Sequence, residues 1–137
     1  MGPQMTPSIR YMLLCDDVHA DADKPACTHV ECLMSHIVSL DDPPYPFLRE
    51  MICVFLVLAE CRGRGRVQIR VSFIDDLHEQ PLFGSPEHEV DFASVGPLDT
   101  VGIPFRLRDC RFPSAGTYSV QFWYNGAKVE ERSLQLR

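Results

Sequence analysis

GTYSVQFWYNG, residues 116–126, decides the fold class of this chain. Tyr118, Val120, Phe122 and Tyr124 alternate with Ser119, Gln121 and Trp123. That is the period-two pattern of a strand with one face in a core. Asn125-Gly126 follows, a type I′ hairpin signal, and Ala127 to Leu136 reads as the returning strand. Direct pairing across a two-residue turn sets Phe122 opposite Val129 but Val120 opposite Glu131. Leu134 and Leu136 then fall on the wrong face. One extra residue restores the alternation, so a bulge is expected between Val129 and Leu134.

The same style runs through the rest of the chain. Val67, Ile69, Val71 and Phe73 alternate with Gln68, Arg70 and Ser72. Ile52 to Glu60 reads as a central strand, because MICVFLVLA (51–59) is apolar throughout and a bilayer helix needs about 20 residues. IRYMLLC (9–15), HEVDFASV (88–95) and GIPFRLR (102–108) are further strands. DDPPYPF (41–47) is a connection that cannot be a central strand. RGRG (62–65) reads as a tight turn with solvated arginines. Eleven prolines and eight glycines break the chain into short apolar segments, which points to a β-sandwich or barrel. The expectation is all-β: a single sandwich of eight or nine short, mostly antiparallel strands over residues 9–137, with residues 1–8 as a disordered or extended tail.

A chain of 137 residues can bury a core without staples. Its net charge of −6 argues against nucleic acid and against an anionic membrane surface as partner. MGPQMTPSIR carries no apolar leader segment, so the cytoplasm is expected. Six cysteines are then expected to stay mostly reduced.

Three blocks, YMLLCDDV, ICVFLVLAECRGRGRVQI and FPSAGTYSVQFWYNG, together resemble a family of small bacterial proteins, a domain of unknown function. Its pattern has a Leu-rich strand ending in Cys-Asp/Glu-Asp-Val, a Pro-rich segment before the central strand, and a Gly-x-Tyr strand running into a hairpin. The resemblance implies an immunoglobulin-like sandwich and a strand at 27–40. It implies no catalytic residues.

CTHVECLMSH (27–36) is the stretch that looks most like chemistry. Zinc takes thiolate and imidazole in a tetrahedral set, and Cys27, His29, Cys32 and His36 supply both. In a strand, Cys27, His29 and Glu31 share one face, and Val30, Cys32, Met34, His36, Val38 and Leu40 the other. Cys32 and His36 would then lie about 13 Å apart, too far for one ion. In a helix, Thr28-x-x-Glu31 is a capping box and Cys32 and His36 share a side. The long apolar face favours the strand, and with it a core segment whose thiols are incidental.

A second candidate is cationic. Arg62 and Arg64 lie in the Gly-rich turn, but this turn feeds a strand rather than the helix of a phosphate loop. Arg66 and Arg70 share one strand face, and Arg106 and Arg108 share another. If those strands neighbour each other, one sheet face carries an arginine patch suited to an acidic protein or a phosphorylated ligand; the competing reading is a plain polar face. Trp123 points away from the core and could anchor an interface. Asp16, Asp17, Asp21 and Asp23 form an acidic loop without calcium-loop spacing. No Gly-x-Ser-x-Gly or His-Glu-x-x-His occurs. The leading expectation is a non-catalytic module that binds a protein partner through a sheet face or edge strand, with no cofactor; an edge strand could also mediate homo-oligomers. A zinc protein is the runner-up, and a small enzyme comes third.

Overall fold

The structure is a computed structural model describing residues 6–76 and 78–137. The chain is all-β, with eleven strands among the described residues: β1 Ser8–Cys15, β2 Asp17–Ala20, β3 Thr28–Glu31, β4 His36–Ile37, β5 Phe47–Ala59, β6 Arg64–Asp75, β7 His78–Gly84, β8 His88–Asp91, β9 Val101–Phe112, β10 Gly116–Tyr124 and β11 Ala127–Leu136. β1 starts at Ser8, one residue before the expected start; residues 1–5 of the expected tail lie outside the described residues.

Two sheets form the sandwich. The smaller has the order β1-β5-β9. The larger has the order β4-β11-β10-β6-β7, with β8 also paired to β6. Alternation in β6 and β10 turns Val67, Ile69, Val71, Tyr118, Val120, Phe122 and Tyr124 inward, against Ile52, Val54, Leu56, Phe105 and Leu107 of the smaller sheet. Phe105 and Phe122 meet across the interior at 6.5 Å between ring centres. Burying a side chain of this size contributes about 1.5–3 kcal/mol.

β5 is apolar from Met51 to Ala59 because both of its faces are covered there. The face turned from the main core carries Cys53, Phe55 and Val57. The β2–β3 hairpin lies over that face and packs Val18 and Val30 on Cys15 and Cys53. The expected acidic loop at 16–25 therefore contains a strand, since Val18 has an apolar surface to cover.

The expected strand at 27–40 is divided. β3 ends at Glu31, Cys32 takes a φ of +52°, and only His36 and Ile37 pair again, parallel to Gln135 and Leu136. Its long apolar face is not a core face: Val38 and Leu40 are exposed. This division helps make eleven strands where eight or nine were expected. The strand expected at 88–95 stops at Asp91. The RGRG turn carries the chain from β5 in one sheet to β6 in the other, so it is a crossing between layers, not a hairpin.

The terminal hairpin has the expected type I′ signs, with φ of +51° at Asn125 and +80° at Gly126. Its bulge is present but nearer the turn. Trp123 faces Lys128 and Phe122 faces Glu130, which leaves Val129 as the extra residue. Leu134 and Leu136 are thereby buried. The Tyr118 hydroxyl donates to the Ser114 carbonyl oxygen at 2.6 Å and fixes the turn before β10.

Candidate functional site

The smaller sheet is three strands wide and the larger is wider, so part of the larger sheet's inner face has no strand opposite it. The uncovered part lies beside β9, whose second edge is unpaired among the described residues. A groove follows that edge as two separate cavities. Its first section, about 390 Å³, runs between Ile103–Arg108 and residues 84–90, with Val67, Val90, Phe105 and Leu107 among its apolar lining. Its second section, about 300 Å³, is lined by Leu82, Phe83 and Gln80 of β7 and by Asp109, Arg111 and Pro113. Both sections have β9 or its immediate continuation as one wall.

Local sequence builds each wall. Pro104 lacks an N–H and is tolerated in a long strand at a sheet edge. Asp109, with φ of +53°, is where β9 changes its alternation, so that Cys110 and Phe112 turn into the core after Phe105 and Leu107. On the opposite wall the chain passes from β7 to β8 at Gly84-Ser85-Pro86. A Cβ at Gly84 would sit 2.2 Å from the Ile69 carbonyl oxygen, so only glycine lets the backbone come this close. Ser85 then holds the crossing: Ile69 N–H donates to its Oγ at 2.9 Å, and its own N–H donates to the Ile69 oxygen.

The groove's charge is mainly positive. Arg106, Arg108 and His88 line the first section and Arg111 the second, against Asp109. Arg106 is anchored, donating to Asp17 at 2.9 Å and to the Val18 carbonyl at 3.1 Å. The Asp17 carboxyl is held below its usual range, first by the Val18 N–H and then by Arg106. Arg108 and Arg111 form no ion pair among the described residues.

The single arginine patch imagined from sequence is not formed. β6 pairs with β10, β7 and β8, whereas β9 pairs with β5 in the other sheet. Arg66 and Arg70 therefore sit on the outward face of the larger sheet, away from Arg106 and Arg108. Arg66 pairs with Glu87 at 3.4 Å, and Arg64 with Asp91 at 3.3 Å. Arg62 is exposed. Arg70 stacks on Trp123 at 3.9 Å. Trp123 does face outward, but this guanidinium covers it and its indole N–H is used on Gln121 at 3.0 Å. Gln121 also donates to Glu79, and Ser119 donates to Glu131 at 2.7 Å. This outward face satisfies its own polar groups.

The cysteine and histidine residues of 27–36 are not brought together. Cys27 and Cys32 are exposed, and a hydrogen bond with Asp16 raises the Cys32 thiol's pKa. His29 lies 2.5 Å from Asp21 and stacks on His19 at 5.1 Å. His36 is on β4, in the larger sheet. Among the described residues, no three His, Cys, Asp or Glu side chains are grouped to hold a metal ion. All six cysteines are free. Burial pushes Cys53 up to about 12 and Cys110 up to about 11.

The model of a family of unknown function (DUF6941) matches residues 10–137. The chain belongs to this family. Comparison with curated proteins returns no match. Among solved structures, β-glucosidase from Listeria innocua in complex with glucose superposes with a TM-score of 0.50 at 9% identity, over 92% of this chain and 16% of that one. The same enzyme with isofagomine gives the same values. Pseudomonas fluorescens alkylpurine DNA glycosylase AlkC, bound to DNA containing an abasic site analog, gives 0.46 at 17% identity, over 75% of this chain and 28% of that one. The chain thus spans a minor part of each relative, and the likeness to the glucosidase is one of fold. No helix among the described residues is long and apolar enough to cross a membrane.

Arg106 and Arg108 are exposed on β9, the outward position that their alternation predicts, whereas Arg111 and the groove had no sequence pattern to mark them. The edge position of β9 had one available signal, Pro104 inside a strand.

Proposed function

We propose that this protein is a non-catalytic binding module of the bacterial cytoplasm, which takes an extended segment of a protein partner into the groove beside β9. One observation carries the reading: two separate cavities lie along a single unpaired strand edge, between Ile103 and Pro113. Extended backbone advances about 3.3 Å per residue, so this stretch suits a segment of about ten residues. Peptides commonly bind by adding to an exposed sheet edge, with neighbouring pockets taking alternate side chains. The Tyr118–Ser114 hydrogen bond is of the tyrosine-corner kind, which supports reading the sandwich as immunoglobulin-like. Six unpaired thiols suit a reducing compartment. The site, not the fold, supports the function.

A displayed library of random peptides, panned against the full chain, tests this. Enriched peptides should shift the amide resonances of residues 80–90 and 103–113, and Ile103→Asp should abolish enrichment. Enriched peptides that map to Arg66, Arg70 and Trp123 would overturn the reading.

A further inference from the structure

The groove's floor and rim differ in chemistry, and the difference constrains what fills it. The floor is apolar: the half-buried Val90 and Phe83 line it over the buried Val67. The rim is the outward face of the smaller sheet at Arg106 and Arg108. A strand laid beside β9 would continue the smaller sheet by one position. Its side chains would alternate, one set over the apolar floor and the other beside the arginines.

We infer that the occupant is an added β-strand with apolar residues at alternate positions and Asp or Glu at the positions between. This rests on the groove being the binding site, and it adds the partner's chemistry. The acidic set follows from charge. Arg106 is paired with Asp17, but Arg108 and Arg111 stand against Asp109 along the seam and have no ion-pair partner among the described residues. The same charges disfavour a second copy of this chain as the occupant, because pairing β9 with β9 gathers the arginines of both copies at one seam. Pro104 removes one donor from the edge and further weakens unselective pairing.

The test uses the full chain and two labelled peptides of about ten residues, sized to the groove. Both place Val at alternate positions; one has Glu between them and the other Lys. Fluorescence anisotropy gives each affinity, and amide hydrogen exchange reports on β9. The Glu peptide should bind about tenfold tighter or better, as two exposed charge pairs allow. It should slow exchange within 105–108, and Arg108→Glu should abolish the preference. Equal affinity of the two peptides, with both slowing exchange in β9, would overturn the acidic partner and leave the groove intact. Binding without protection of β9 would overturn strand addition. Binding of neither peptide, together with concentration-dependent self-association that Arg108→Glu strengthens, would favour a second copy and overturn the inference. If neither peptide binds and the chain does not self-associate, the groove reading itself fails.

Discussion

Removing the Tyr118 hydroxyl should loosen the turn before β10 without disturbing the core. In Tyr118→Phe the ring stays against Phe73 and Phe112, each with centres at 5.0 Å. What is lost is the 2.6 Å bond to the Ser114 oxygen, and with it the weaker one that the hydroxyl accepts from Ser114 N–H at 3.4 Å. A short hydroxyl–carbonyl bond contributes about 0.5–1.5 kcal/mol net. Ser114 is half-buried, so water can reach its carbonyl and the loss belongs near the middle of that range. We expect Tyr118→Phe to destabilise by about 1 kcal/mol, which lowers Tm by roughly 3–5 °C in a domain of this size. Urea unfolding gives the free energy, and the slope m should stay unchanged because the same surface is exposed. Tyr11→Phe is the control, since Tyr11 is 60% exposed and makes no such bond. A Tyr118→Phe variant within about 0.3 kcal/mol of the parent, or no different from Tyr11→Phe, would refute the role given to this bond.

Other outcomes follow from single observations. Gly84→Ala should lower stability by at least about 2 kcal/mol in urea unfolding, because its Cβ would meet the Ile69 carbonyl oxygen at 2.2 Å. Inserting one alanine after Glu131 should prevent cooperative folding, seen by calorimetry, since it turns Leu134 and Leu136 out of the core, whereas deleting the extra residue Val129 keeps Tyr118 opposite Leu134 and should leave the transition cooperative. In the native state Cys27 and Cys32 should react with a thiol reagent well before the four buried cysteines, by mass spectrometry of timed alkylation. The Glu79 carboxyl is lowered, chiefly by Gln121 and then by Ser72. Its stabilising contribution is therefore present above the unfolded pKa near 4.3 and lost as pH falls through the lower folded value. Glu79→Gln should flatten that acidic limb in pH-dependent thermal unfolding.

The parts of this fold that sequence made legible are those where one local rule sufficed. Alternation in β6 and β10 and the Asn125-Gly126 turn needed no knowledge of distant residues. The missing register in β11 announced its bulge because Leu134 and Leu136 had to be buried. The division at 28–37 was hidden, because a positive φ at Cys32 and an exposed Leu40 depend on what the segment packs against. Arg66, Arg70, Arg106 and Arg108 were visible as outward residues, yet no local pattern says that β6 and β9 lie in different sheets. The groove arises from a mismatch in sheet width, a property of topology.

Site-specific photo-crosslinking in the producing cell tests the binding site most directly, with the photoreactive residue at Leu82, Arg108 or Trp123 in otherwise unchanged full chains. The account predicts crosslinks to one partner from positions 82 and 108, on a segment with alternating apolar and acidic residues, lost when Ile103→Asp is added. Crosslinks of equal yield from position 123, or ones that survive Ile103→Asp, would contradict it.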